Sequence, residues 1–299
     1  MIRNHQRLTE MHPRWGTTVM HTENGPENDF SSIDQLLECA KSCRRNIVKM
    51  VHRANAGHPG GSLSAIDILV ALYKTRLNVD PSNPKDPDRD RFIMSKGHAS
   101  PAVYSILHEM GYLSSDDLST FRVMGGVCQG HVDMTWTPGV DFSAGSLGMG
   151  LSFGLGTALA ASLDGSSRTS FVMLGDGELQ EGQIWEAAMA AVHHEVGNLK
   201  VFVDRNRIQN DDFCENQMRM FNVADKWAGF GWAVHECDGH DMNALVEAIE
   251  WLDSITDGPA VVVAHTIKGK GVSFMEDNPS FHGAAPNDEQ LKIALEELK

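Results

Sequence analysis

Positive charge is what this 299-residue chain has least of relative to its opposite: 25 Lys and Arg stand against 40 Asp and Glu, for a net charge of −15. That deficit excludes a general affinity for nucleic acid or for an anionic membrane surface. An anionic ligand would need a local positive feature or a metal ion. Cysteine is scarce as well. Cys39, Cys43, Cys128, Cys214 and Cys237 are odd in number, scattered and without a CxxC pair, which leaves neither a disulfide framework nor a zinc site. They read as small hydrophobes with free thiols. Long apolar runs are also missing. The opening MIRNHQRLTEMHPRWGTTVM lacks the continuous apolar segment of a signal peptide, and no stretch has the length needed to cross a bilayer. A soluble, cytoplasmic protein is the expectation. No GxxxxGK[ST] nucleotide loop, internal repeat or low-complexity linker occurs.

What is present is enough apolar material, 41% of residues, for a large core. Residues 1–30 are polar and aperiodic and read as a mobile N-terminal arm with no assigned function. Residues 31–299 form the expected domain. Behind a serine cap, Ile33, Leu36, Leu37, Ala40, Ile47, Val48 and Val51 recur at helical spacing. A second helix, near LSAIDILVALYKTRL, comes after what reads as a turn at GHPGG. Further on, RFIM, SFVML, KVFVD, WAVHEC and AVVVAHTI alternate with amphipathic stretches. Short apolar runs separated by helices are what a parallel sheet covered on both faces requires. The expected fold is α/β, a doubly wound, mainly parallel sheet with helices on both faces. In such sheets ligands sit beyond the carboxyl ends of the strands.

The residues after two of those runs are Gly175-Asp176-Gly177 and Arg205-Asn206-Arg207-Ile208. If the strands are neighbours, the Asp176 carboxylate, the Asn206 amide oxygen and a carbonyl near Ile208 form a hard oxygen site suited to Mg²⁺ or Ca²⁺. The Gly177 amide could donate to a phosphate. A strand-to-helix turn carrying an incidental acid explains GDG equally well. Gly145-Ser146-Leu147-Gly148-Met149-Gly150 opens the small-residue helix LSFGLGTALAAS, either as an anion cradle of backbone amides or as a tight packing device. A dinucleotide fingerprint fails there, since no strand precedes the glycines and Phe153 stands where a glycine is needed. Histidines recur in glycine-rich turns at His58, His98, His131 and His282. Neutral imidazoles in such turns can donate to and accept from sugar hydroxyls and relay protons near neutral pH.

Together these stretches resemble a known family. GDGELQEG with an asparagine 30 positions after its aspartate (Asp176, Asn206) looks like the thiamine diphosphate motif. GHPGG, SKGHASPAVY, GH-x-D, TPGVDFSAGSLGMG, VADKWAGFGW and HTIKGKGVSFME are similar, in this order, to the N-terminal half of transketolase, over about residues 33 to 295. The resemblance implies that Asp176, Asn206 and the carbonyl of Ile208 bind the metal. It places Gly177, His98 and His282 at the diphosphate, and Gly145, Ser146, Leu147 and Gly148 along the middle of the cofactor. His58, His98, His131 and His282 are implied to line the substrate channel, with His131 near the donor C1 hydroxyl. Glu181 matches a family glutamate that contacts the cofactor region and joins a carboxylate network between active sites. Two departures stand out: Val132 replaces the usual proline after the third histidine, and RNRIQND is more basic than the family's metal loop.

Full-length transketolases carry a second, pyrimidine-binding domain that activates the cofactor and grips the substrate phosphate, and this chain ends at EELK, soon after its first domain. The resemblance therefore implies a split enzyme. This chain would be the diphosphate-binding subunit, working with a separate C-terminal, pyrimidine-binding subunit in an α2β2 assembly on sugar phosphates. The implied reaction moves a two-carbon ketol unit from a ketose to an aldose. Two alternatives are the same chemistry on a specialised branched, apulose-type or sulfonated sugar, and a non-catalytic partner of a full-length transketolase.

Overall fold

A computed structural model describes residues 32–299. The expected arm at residues 1–30 lies outside the described residues. In chain order the elements are α1 (Ile33–Ala54), α2 (Pro59–Thr75), β1 (Arg91–Met94), α3 (Ser100–Glu109), α4 (Ser115–Leu118), α5 (Met149–Asp164), β2 (Ser170–Gly175), α6 (Gly182–His193), β3 (Leu199–Arg205), α7 (Cys214–Gln217), α8 (Val223–Gly229), β4 (Ala233–Asp238), α9 (Met242–Ser254), β5 (Ala260–His265) and α10 (Asp288–Glu297).

The five strands form one sheet in the order β1-β2-β3-β5-β4, and every pairing is parallel. Two-residue alternation sends successive side chains to opposite faces. Phe171, Met173, Phe202 and Val262 meet α1, α2, α3 and α9 in one core. Val172, Leu174, Val201, Val203 and Val263 meet α5, α6 and α8 in a second. Because both faces are covered, β2 is buried throughout and β3 at every position but its last, whereas the edge strand β4 is part-exposed along its whole length.

The helices start where the sequence provides for it. The Ser32 hydroxyl caps α1 by accepting from the Gln35 amide. The second helix begins earlier than its apolar pattern suggests: the expected GHPGG turn is the first turn of α2, with Pro59 at the helix start and His58 at the N-cap position. Proline is preorganised for that position and its missing N–H costs nothing there. Gly60 is required because the segment after β5 passes too close for a side chain: a Cβ there would lie 2.9 Å from the carbonyl oxygen of Phe281.

Candidate functional site

Four strands deliver functional residues to one edge of the sheet. Ser95, Lys96 and His98 come after β1, Asp176 and Gly177 after β2, Asn206 and Ile208 after β3, and Thr266 and Lys268 after β5. Gly175 pairs in register with Asp204, so Asp176 and Asn206 leave adjacent parallel strands at nearly the same level. A cavity of about 390 Å³ opens here, lined by all four expected histidines, by Asp176, Gly177, Glu181, Asn206, Ile208, Gly145 and Leu147, and by Lys96 and Lys268. Ser146 and Gly148, also expected at the cofactor, do not line it.

The histidines come from four separate loops and meet. His58 lies 5.1 Å from His98, 5.9 Å from His131 and 5.3 Å from His282 between ring centroids, and His98 lies 5.3 Å from His282. Burial and the neighbouring cations keep these rings neutral. Burial, followed by the charge of Lys96, holds His98 well below its ordinary value. Burial, followed by His131, lowers His58 to about 4, and burial with the Lys268 charge lowers His282 to about 3. His131, at the exposed rim, is lowered by burial and by Arg122. His282 Nδ1 accepts from the Lys268 ammonium at 2.6 Å, so its proton sits on Nε2. His58 Nδ1 is buried without a hydrogen-bond partner, which leaves a polar atom free to bind a ligand.

Beneath the histidines lies the oxygen set. Asp176 is only 4% exposed and pairs with no cation among the described residues. Its two oxygens accept from the amides of Gly177 (2.9 Å) and Arg207 (2.6 Å), and burial with the charge of Asp204 raises its carboxyl to about 6. Asn206 Oδ1 accepts from the Ile208 amide at 3.2 Å. The Ile208 carbonyl accepts from Lys268 Nζ at 2.8 Å. Among the described residues no three His, Cys, Asp or Glu side chains cluster as metal ligands. One carboxylate, one amide and one carbonyl are the donor types of a hard cation that keeps other positions for phosphate and water. A buried carboxylate without a counterion fits such a cation, since the uncompensated charge is costly.

Asp204, fully buried two residues before Asn206, organises the floor. It is paired with Lys96 and accepts from Thr266, from Ser64 (2.6 Å) and from the Asn206 amide nitrogen (3.3 Å). Burial alone would raise its carboxyl, but Lys96 and these donors hold it below its ordinary value. Lys96 also donates to the Gly61 carbonyl at 3.0 Å. Burial and the nearby Lys96 lower Lys268 to about 8. The two lysines are the local positive feature that an acidic chain needs to hold an anion. Neither was expected at the site, although both lie inside family-like stretches, SKGH and TIKGKG.

The glycine cradle at 145–150 is corrected. The Gly148 amide donates to Glu178 at 2.9 Å and the Gly150 amide to Ser95 at 3.1 Å, so neither is free for an anion. Glu178, absent from the expected site, also accepts from the Gly175 amide (3.0 Å) and from Ser95, tying β1, β2 and the start of α5 together. The small residues of α5 are there for packing: a Cβ on Gly154 would overlap Val172. Gly148 is required by its left-handed backbone, φ +82°, and by Glu181, whose Cβ would lie 2.8 Å from an added Cβ.

An all-parallel sheet whose carboxyl edge gathers an oxygen donor set, two buried lysines and a ring of neutral histidines defines a diphosphate-binding α/β domain. Residues 36–298 match the family described as transketolase, thiamine diphosphate binding domain. The chain belongs to that family; its fold is that of a transketolase, a transferase. It is 39% identical over 255 residues to one of the named subunits of apulose-4-phosphate transketolase from Phocaeicola vulgatus, covering 85% of this chain and 90% of that one. It is 39% identical over 260 residues to the 6-deoxy-6-sulfo-D-fructose transketolase subunit SqwG of a Clostridium species, covering 87% and 94%. The transketolase structure of Campylobacter jejuni superposes with a TM-score of 0.85 at 34% identity, covering 90% of this chain and 43% of that one. The chain thus spans less than half the length of that solved transketolase. No helix among the described residues is long and apolar enough to cross a membrane.

Proposed function

We propose that this chain is the diphosphate-binding subunit of a two-subunit, thiamine diphosphate-dependent ketol transferase of the cytoplasm. Residues 31–299 are its single domain, and a pyrimidine-binding subunit completes each site in an α2β2 assembly. The observation that carries the reading is the convergence of four neutral histidines over Asp176, Asn206 and Ile208 in one cavity. Relatives of nearly equal length that are named as subunits support the separate partner. Asp176, Asn206 and the Ile208 carbonyl would hold Mg²⁺ or Ca²⁺, and Lys268 and Lys96 lie where they can balance the diphosphate charge, whereas the Gly177 amide, expected at the diphosphate, is engaged by the Asp176 carboxylate.

Thiamine diphosphate, when bound, supplies the electron sink for breaking the C2–C3 bond of a ketose. The chain's own residues position the sugar and move its protons. Rings held neutral can donate from one nitrogen and accept at the other, which suits sugar hydroxyls. His58, with its unpartnered Nδ1, and His282, fixed as the Nε2–H tautomer by Lys268, bind hydroxyls of the substrate. His131, at the rim, takes the hydroxyl next to the donor carbonyl, and His98, 5.1 Å from His58, acts with His131 around the intermediate. Glu181 lines the same cavity, and its assigned role is in the carboxylate network that crosses the interface between active sites.

The substrates are a ketose donor and an aldose acceptor, phosphorylated or carrying another anionic group, and the two relatives named above favour a specialised branched or sulfonated sugar as donor. The chain, co-purified with its pyrimidine-binding partner, is assayed for ketol transfer on xylulose, apulose and sulfofructose substrates, with calorimetry of thiamine diphosphate and Mg²⁺ binding alongside. The expected result is Mg²⁺-dependent cofactor binding and transfer to an aldose phosphate, with His131→Ala lowering turnover by about 10²-fold or more. Absence of cofactor binding in the reconstituted complex would overturn the reading, and near-normal turnover of the variant would remove His131 from it.

A further inference from the structure

The carboxyl edge of the sheet carries a second cavity, of about 460 Å³, on the far side of the loop after β3. That loop serves both cavities by alternation. Asn206 and Ile208 line the first, while Arg205 and Arg207 line the second. The segment after β5 divides in the same way: Lys268 lines the first cavity and Lys270 the second.

Three permanent cations therefore converge in a molecule of net charge −15. Their counterions are weak. The Arg205 side chain makes no hydrogen bond or ion pair among the described residues. Arg207 approaches Asp277, and Lys270 approaches Glu276, each only to 3.6 Å, beyond hydrogen-bonding distance, and neither acid lines the cavity. The one carboxylate that does, Asp238, already accepts from the His240 amide at 2.8 Å. The His240 ring is held on both sides: its Nε2 accepts from the Ile267 amide at 2.8 Å and its Nδ1 faces Asp67 at 2.7 Å.

The backbone at Arg207 joins the two cavities. Arg207 holds φ +67°, a left-handed conformation that glycine or asparagine adopts with far less strain than a long side chain. That turn carries the Arg207 amide to the Asp176 carboxylate at 2.6 Å, while its side chain lines the second cavity.

We propose that this second cavity is a binding site for a phosphate-class dianion, gripped by the guanidinium groups of Arg205 and Arg207 and by Lys270. Paired guanidinium forks match phosphate oxygens, and the lysine adds a point charge. Inorganic phosphate and the phosphoryl group of a sugar phosphate share this chemistry. The site is separate from the cofactor cavity and does not depend on the ketol-transfer reading.

The test uses the full chain with ¹⁵N-labelled arginine, following the Nε–Hε resonances while inorganic phosphate replaces chloride at constant ionic strength and neutral pH. The Arg205 and Arg207 signals are expected to move together along one saturating curve. The Arg205→Gln, Lys270→Gln double variant should weaken half-saturation by about tenfold or more. Arg207→Gly, which also relieves the left-handed strain and so should fold at least as well, should weaken it too. Ribose 5-phosphate in place of phosphate identifies the source: a lower half-saturation assigns a sugar phosphate, an equal or higher one the free ion. Shifts that grow linearly without saturating, or saturation undiminished in both variants, would overturn the proposal.

Discussion

Acid should destabilise the cofactor-free chain through its buried histidines, and the size of the effect can be worked out. An imidazole in the unfolded chain takes up its proton near its ordinary value of 6.5, whereas folded His58 and His282 do so only at about 4 and about 3, because burial and, for His282, the Lys268 charge oppose it. Below 6.5 the unfolded state therefore binds more protons than the folded one. Stability is full above that point and falls with each unit of acid down to the folded values. Each such proton is worth about 1.4 kcal/mol per pH unit. Between about pH 7 and about pH 5 the two rings together would cost about 4 kcal/mol, and about 2 kcal/mol once solvent reaching these half-buried groups is allowed for. Urea unfolding of the wild type and of the His58→Gln, His282→Gln variant at both pH values isolates the effect as a difference of differences. The wild type should lose about 2 kcal/mol more than the variant on acidification. Equal losses would show that these rings titrate normally, and the neutral histidine cluster invoked for hydroxyl binding would have to be abandoned.

Two further outcomes bear on the frame around the site. Asp67, 3% exposed, accepts from both Arg44 nitrogens (2.9 and 2.5 Å) and from His240 (2.7 Å), joining α1, α2 and the loop before α9; Asp67→Ala strands a buried guanidinium and should lower unfolding free energy by about 3–5 kcal/mol in urea titrations. Gly148→Ala forces a Cβ into left-handed backbone against Glu181 and should cost about 1–2 kcal/mol by thermal unfolding. A melting temperature unchanged from wild type would show that this turn relaxes freely.

The fold is legible in the sequence because its signal is local: doubly buried parallel strands are short apolar runs, and each of RFIM, SFVML, KVFVD, WAVHEC and AVVVAHTI contributes a strand. Asp176 and Asn206 are also within reach, since neighbouring parallel strands deposit their exit residues on one edge. The convergence of His58, His98, His131 and His282 is not, because no spacing encodes where four distant loops meet. Only the likeness to a family suggests it. Lys96 and Lys268 stay hidden because net charge averages over the whole surface, while a cavity responds to the nearest few groups. The amides of Gly148 and Gly150 mislead for the opposite reason: glycine content announces that an approach is close without saying whether ligand or protein makes it, and here Glu178 and Ser95 do.

Asp204 gives the assembly of this site an unusual character. Its partners arrive from α2 (Ser64), from the end of β1 (Lys96), from β3's own exit (Asn206) and from beyond β5 (Thr266). A chain that misplaced the end of β1 would remove Lys96 and leave an ionised carboxylate stranded in the protein interior, so the strand order is proofread by a single ion pair. The floor of the cavity is therefore fixed by the same bonds that fix the order of the strands.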